Sequence, residues 1–540
     1  MFVETIKSKQ KDKTYASVLI RESYRQEGKV KHRTLANISK LPAKLIASIK
    51  RLIKEDVHCF NSGDPLSVNS GREYGASFAV WTVARSLGLD KLIFSRSVQW
   101  REDVMAMIIG RIVYQGSKLK LTNLFADTVL WEIAGHPAGQ RVDVDKHCYE
   151  AMDSLLQRQD VIQKSLAKRH LDNGCLILYD ITSVYMEGEY EESDLVRFGR
   201  SRDCKRGHEQ IAIGLLADKS GCPVAVEVFS GNTSDQTTVK KQAELLAEKY
   251  KVKDIVFAGD RGMLTPKRIE EVSDLGFKTL TALTHPAIMS LLERKVIQLN
   301  LFDEHNIAEV IDPDTPTLRY MLCKNPKTQH EETQTRNALI EKTEALLKKL
   351  ESSKKRRTEQ ELAAAVGKAL VRYKVAKFFT WEIKEGKLSW NRDTEKVEYE
   401  QSIDGCYIVR TDVTAKQMDK NEAVKCYRQL MTVEKAFRNI KTVSLEIRPI
   451  HHHLDDRIRA HVFLCMLAYY VQWNMCERLA PLFKEDGEGK ERRWSFRIII
   501  ERLKSIRKQK AKIAGISIGD TVSIPDAEQN RILELLKVKM

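Results

Sequence analysis

The chain has 540 residues, more than a single hydrophobic core serves, so three or more domains are expected. Hydrophobic residues make up 42%, ordinary for a globular protein, while a net charge of +16 and a pI of about 9.2 favour a polyanionic partner, nucleic acid before an anionic membrane surface. Ten scattered cysteines with no CxxC pair argue against a zinc site and a disulfide framework, and fit a reducing cytoplasm.

The N-terminal MFVETIKSKQKDK lacks the apolar stretch of a signal peptide. Residues 1–70 form a first unit. Alternating segments over 2–39 (YASVLIRESYR, a turn at EGK, VKHRTLANI) predict a small β meander rich in Lys and Arg, and 41–57 a basic amphipathic helix. The meander reads equally as a DNA-contacting arm or as a solvated cover. Residues 71–172 carry helical periodicity in AVWTVARSLGL, DVMAMIIGRIVYQ and CYEAMDSLLQRQDVIQKSLAKR. Such a helical domain has room for a DNA-binding helix-turn-helix, but no spacing singles one out, and a purely structural bundle fits as well.

From 173 to 284 the texture is α/β. CLILYDITSVYMEG is a strand, and QIAIGLLAD and PVAVEVFSG form an antiparallel hairpin about a KSGC turn. A helix over 237–250, the strand DIVFAGD, a helix over 266–274 and the strand FKTLTALT follow. This order predicts a mixed sheet and matches a ribonuclease H-like core. Residues 285–404 interrupt it as an inserted domain. NALIEKTEALLKKL and ELAAAVGKALVRYKVAK predict a helical hairpin joined at SSKKRR, and FFTWEIKEGKLSW and KVEYEQS look strand-like. The core resumes over 405–480 with the strand CYIVRTD and the apolar helix 457–476. Its longest apolar run, 462–471, is too short to span a bilayer, which removes the membrane as a partner except by peripheral attraction. Residues 481–540 read as a basic, partly helical tail.

Three acids carry the chemistry. YRQLMTVEKAFRNIK, residues 427–441, has no Gly or Pro and predicts one unbroken helix. At about 100° per residue, Leu430, Val433, Phe437 and Ile440 form an apolar stripe, while Tyr427, Glu434, Arg438 and Lys441 form a second stripe about a quarter turn away. Alone, Glu434 is a helix-surface partner of Arg438. Asp180 lies inside an apolar strand, where a charge is expensive unless paired or metal-bound. Asp260, followed by Arg261, ends a strand at the edge where α/β sites form; alone it is a turn or cap residue. Three converging carboxylates repel one another, and a divalent cation reverses that cost. Oxygen-only ligands suit Mg²⁺ or Mn²⁺ rather than zinc, and two ions ~3.5–4 Å apart suit an in-line phosphodiester displacement.

With these residues the chain resembles the DDE transposases of bacterial insertion sequences, in the group of insertion sequence four. Asp180 and Asp260 are 80 residues apart (260 − 180), and Asp260 and Glu434 are 174 apart (434 − 260), room for the group's inserted domain. The group's hallmark is Tyr, Arg three later, Glu four after that and Lys seven further. Tyr427, Glu434 and Lys441 match; Leu430 stands in place of the Arg, a departure that marks a divergent branch and leaves a phosphate contact for Arg428 or Arg438 to supply. VEVFSGNTSDQTT and AGDRGM match as well. The resemblance covers about 176–473. It implies cutting of the element's terminal repeats and joining of the 3′-hydroxyl to target double-stranded DNA, by a homodimer in the synaptic complex, in the bacterial cytoplasm at the nucleoid.

It further implies that Asp180, Asp260 and Glu434 hold two Mg²⁺, that Tyr427, Lys441, Arg438 and Arg261 contact DNA, and that an aromatic residue stacks a flipped base. Trp381 and Trp390 are the candidates for that stack; simple β packing is their other reading. A nuclease that hydrolyses without joining, and a non-catalytic DNA-binding relic, are the alternatives; the intact acids argue against the relic. HHHLDD at 451–456 is a metal ligand set or an interhelical loop, and His461 opens a buried helix. Arg200, Arg202, Lys205 and Arg206 form a charged loop near the expected site.

Overall fold

The computed structural model describes residues 2–10, 13–26, 29–54, 66–68, 71–202, 205, 207–298, 300, 307–353, 357–443, 445–448, 450–485, 493–513 and 516–540. Two compact units emerge, one of Met1–Glu73 with Ile506–Ile524, the other of Tyr74–Ser505 with Pro525–Met540.

In the first unit, Phe2–Gln10, Lys13–Gln26 and Lys29–Asn37 pair in order as an antiparallel meander, and the helix Ala43–Lys54 packs on its first strand, with Lys50 Nζ donating to Thr5 Oγ1 at 3.1 Å. The part of 481–540 read as a partly helical tail carries two strands. Arg507–Ile513 pairs antiparallel with Leu66–Val68, with Arg72–Glu73 and with Ile516–Val522. Ile516–Val522 is its hairpin neighbour, but Leu66–Val68 and Arg72–Glu73 lie far off in sequence, so no local pattern announces their pairing. Among the described residues, helical structure in this stretch lies in the end of Ala480–Glu485, in Phe496–Lys504 and in Ala527–Leu536.

The second unit is built on an eight-stranded mixed sheet, whose strands we number in chain order: β1 Leu176–Tyr185, β2 Gln210–Asp218, β3 Pro223–Ser230, β4 Val256–Gly259, β5 Lys278–Ala282, β6 Ala308–Ile311, β7 Arg319–Lys324 and β8 Cys406–Thr411. The order across the sheet is β6-β7-β8-β5-β4-β1-β2-β3. β1, β4 and β5 are mutually parallel; the other pairings are antiparallel. β1 to β3 are buried on both faces, which explains their nearly continuous apolar runs. The β2–β3 turn is closed by Asp218, whose Oδ1 accepts from Ser220 N–H at 2.8 Å and Cys222 N–H at 3.0 Å.

Residues 285–404 do not stand wholly apart. β6 and β7 come from this stretch and extend the sheet through β8, held by buried Arg319, which donates to the Val413 and Met418 carbonyls at 2.8 Å and to Glu309. The helical hairpin, Pro326–Glu351 and Glu359–Arg372, has its own core around Ile340, Leu347, Val366, Leu370 and Phe378; of its KKRR turn only Arg357 lies among the described residues. FFTWEIKEGKLSW is a β-hairpin as expected, Phe379–Lys384 with Lys387–Arg392. KVEYEQS is not a strand. It lies in the helix Thr394–Ser402, started by Asp393, whose side chain caps Lys396 N–H at 3.0 Å.

The expected unbroken helix over 427–441 is jointed. We label its parts α1 (Lys420–Arg428) and α2 (Leu430–Arg438), with a π turn at Asn439–Val443 and Gln429 between them. The Gln429 carbonyl is taken at 2.8 Å by the Thr432 N–H and at 2.6 Å by the Thr432 hydroxyl, which tightens the ladder locally to an i,i+3 bond. The apolar helix, α3 (Asp455–Arg478), is buried along most of its length between β3 and the helices Gln99–Val113 and Glu150–Leu156.

Candidate active site

The parallel register of β1 and β4 brings two acids together. Tyr179 pairs with Gly259, so the next residues, Asp180 and Asp260, sit side by side where β4 ends, about one strand spacing (~4.8 Å) apart in the backbone. α2 packs across β1 on Val433, Ala436 and Phe437, all buried, leaving Glu434 exposed. Asp180, Asp260 and Glu434 thereby line the same cleft. The second stripe holds across the joint, since Tyr427 and Lys441 both line the cleft; of the apolar stripe Val433, Phe437 and Ile440 are buried, while Leu430 is half-buried and lines the cleft.

The cleft has two lobes that share these three carboxylates and Arg261. The first, about 830 Å³, is lined by Arg200, Arg202, Arg438 and Lys441 and by the run Asn232–Gln236. The second, about 740 Å³, is lined by Lys324, Tyr407, Tyr427, Arg428, Leu430 and Met431. Leu430 thus shares its lobe with Arg428, whose guanidinium donates to the Tyr407 hydroxyl at 2.7 and 3.0 Å, while Arg438 belongs to the other lobe.

Two residues of the first lobe carried too little signal in the sequence. Arg202 is pinned by three bonds: its N–H donates to Ser183 Oγ at 2.9 Å, and its guanidinium reaches the Ile181 carbonyl and Asp235. A charged loop usually points to solvent; what reveals this one is its backbone packing. Gly199 lies against the Gly231 carbonyl so closely that a Cβ would come within 1.9 Å of it, and Gly231 is equally tight on the Gln210 carbonyl at 2.0 Å. The loop is locked onto the sheet end, and only glycines allow it. Asp235, at the start of the helix Asp235–Glu244, lies within the phrase VEVFSGNTSDQTT, which was the available clue.

Trp381 and Trp390 line neither lobe. They pair across the β-hairpin of the inserted segment, where Trp390 packs on its core and donates to Glu351 at 3.0 Å and Trp381 is 41% exposed. The aromatic side chains that line the cleft with the carboxylates, among the described residues, are Tyr427 and Tyr407 in the second lobe and Phe437 in the first.

The electrostatics ask for a cation. Burial pushes the Asp180 carboxyl up to about 7, and Asp260 and Glu434 add to this against the Ile181 N–H and Arg202. Burial, aided by Asp260 and Glu434 and opposed by Arg261, pushes the Tyr427 hydroxyl up to about 12. Oxygen donors that hold their own negative charge poorly fit a hard divalent ion. The trio is not collapsed: the His, Cys and acidic groupings with all ligand atoms within 4.8 Å, among the described residues, are Asp103–His136–His147 and His170–Asp218–Cys222.

A family model described as "Transposase DDE domain" matches residues 173–471, more than half of the chain. The chain belongs to the DDE transposases. A second model, "IS1634 family transposase, N-terminal domain", matches residues 3–62 of the transposase and ties it to an insertion-sequence family. No curated protein matches it in sequence. A solved structure titled as a piggyBac transposase synaptic complex with hairpin DNA resembles it at 7% identity over 80% of each chain with a TM-score of 0.38, too low to carry any argument. The transposase is thus a metal-dependent enzyme that cleaves DNA and transfers strands, with DNA as its partner. No helix among the described residues is long and apolar enough to cross a membrane.

Proposed function

We propose that this transposase cuts the terminal repeats of its insertion sequence and joins the freed 3′-hydroxyl to target DNA at the junction of the two lobes. The reading rests on one observation: the β1–β4 register sets Asp180 beside Asp260, with Glu434 in the same cleft. Asp180, Asp260 and Glu434 would hold two Mg²⁺ or Mn²⁺. The ions' chemistry is charge stabilisation on the attacking and leaving oxygens of the displaced phosphodiester. The chain's own groups do the rest. Lys441 and Arg438 hold the phosphate backbone on the charged side, Lys441 as a point charge. Arg261 lies at the junction, and Arg428 supplies the cation that Leu430 lacks. Tyr427 and Tyr407, with Leu430 and Met431, offer a flat, partly apolar wall to a nucleoside on the other side.

The strand order β3-β2-β1-β4-β5, with three antiparallel strands leading into a parallel pair of crossovers, supports a ribonuclease H-like core. The excess of positive charge suits action at the nucleoid, in the cytoplasm, and pairing of two element ends implies a homodimer. A duplex carrying the element end, mixed with a tagged target duplex and Mg²⁺, tests the reading. Covalent joining of the end to the tag is expected. Cleavage without any joined product would make the protein a nuclease.

A further inference from the structure

His451, His452 and His461 have no part in the chemistry above, yet they meet at a second pocket of about 260 Å³. It is lined by Arg111, Lys118, Arg448, His451, His452 and His461, with Glu446 as the acid among its lining residues. It lies where the chain leaving α2 crosses the helical bundle: Arg111 donates to the Leu445 and Glu446 carbonyls at 3.4 and 3.2 Å. Arg111 and Lys118 are each 6% exposed and His461 2%.

Lys118 has three N–H donors, and the acceptor the protein gives it among the described residues is His461 Nδ1. His461 Nε2 lies 3.2 Å from the Ile447 carbonyl. A neutral imidazole protonated at Nε2 satisfies both contacts and leaves the rest of the ammonium's donors for another acceptor. The pocket is short of negative charge. Burial, with Arg111 beside it, pulls the Lys118 ammonium down to about 7, and burial with Lys118, Arg457 and Arg111 pulls His452 down to about 3. A buried ammonium without a counter-ion is costly, and among the described residues no carboxylate forms an ion pair with it.

A basic and aromatic bridge joins this pocket to the first lobe. Tyr185 ends the strand that carries Asp180, and its ring has Lys205 at 5.1 Å and Arg448 at 4.8 Å. Five residues of strand separate Asp180 from Tyr185, roughly 16 Å, which is the reach of a few nucleotides of backbone. We propose that this pocket binds a phosphate group, and that the group belongs to the backbone of DNA leaving the first lobe. The DNA source rests on the function proposed above; the pocket itself does not.

Thermal unfolding of the full chain in sodium phosphate, against sodium chloride at equal ionic strength, tests the pocket. Phosphate is expected to raise Tm by about 1–3 °C, the rise growing with the logarithm of its concentration once the site fills. Lys118→Met is expected to raise Tm in chloride, since it removes a buried charge, and to lose the phosphate increment. A lysine with a merely structural role would instead lower Tm and leave the increment intact. The rim variant Arg448→Gln/His451→Gln replaces no buried side chain, should lose most of the increment, and decides alone if Lys118→Met fails to fold. For the DNA arm, the affinity of a 30-base-pair duplex is measured against salt, and the rim variant should flatten the log–log slope by about one. Absence of a phosphate-specific increment in the wild type, or its survival in both variants, would overturn the pocket. Loss of the increment with an unchanged DNA slope would overturn the DNA source and leave a site for free phosphate. Asp180→Asn should keep the increment, so failure of the proposed catalytic site shows up separately.

Discussion

The two lobes of the cleft share their acids and differ in almost everything else. The first is walled by guanidinium, ammonium and small polar groups held by a loop locked to the sheet end. The second is walled by two tyrosines, a leucine and Met431, which is 56% exposed, with Lys324 and Arg428 as its own cations. Charge grips a phosphate backbone whatever its sequence, whereas flat and apolar surface suits a base or sugar. One set of carboxylates can therefore face two kinds of nucleic-acid surface, one on each side of the bond being exchanged.

The largest effect should fall on both lobes at once. Asp180→Asn, Asp260→Asn and Glu434→Gln are each expected to lower single-turnover, Mg²⁺-dependent cleavage by at least ~10³-fold while circular dichroism and gel-shift affinity stay near wild type. Near-full cleavage by any one of them removes that residue from the site.

Next comes a change confined to the charged lobe. Lys441→Ala should lower the cleavage rate about 10²-fold while changing overall DNA affinity less than about threefold, because positioning depends on few groups and binding on many. A wild-type rate would return Lys441 to the role of a surface lysine.

The third prediction concerns the shared acids without metal. Asp180 titrates near 7 in the fold against 3.8 for the free side chain. Between those values the folded state binds more protons than the unfolded one, so stability falls as pH rises through that window and the penalty is complete above it. In chelated buffer, Asp180→Asn should therefore match wild type near pH 4 and exceed it at pH 8 by up to on the order of 3 kcal/mol, read by urea denaturation. Equal stability at both pH values would mean that burial does not strain Asp180.

The smallest change would make the lobes more alike. Leu430→Arg, which restores the group's arginine to the apolar lobe, should tighten end binding several-fold at low salt and steepen the log–log salt slope by about 0.9. An unchanged slope would show that Arg428 already holds the phosphate there.

Much of the site was legible because its determinants are local. An acid within a buried strand, an acid at a strand end and a helix with two stripes each declare themselves in a dozen residues. The joint at Gln429 did not, since it depends on one hydroxyl, that of Thr432, competing for a carbonyl. KVEYEQS misled because alternating Val and Tyr imitate a strand, while the deciding group, Asp393, lies just outside. Arg202 was visible as a charge but not as part of the cleft, for the packing of Gly199 on Gly231 joins residues from different loops. The recruitment of β6 and β7 into the sheet and the pairing of Arg507–Ile513 with Leu66–Val68 are long-range choices that no window of sequence contains.

That last pairing sets a clock on synthesis. Val68 bonds opposite Ala511, 443 residues later (511 − 68). At about 5–20 residues per second, the ribosome needs on the order of 20–90 s to deliver the missing strand. Through that interval Leu66–Val68 and Arg72–Glu73 lack the strand they pair with, and a message cut short near its 3′ end yields a protein with every acid of the cleft in place and its first unit unfinished.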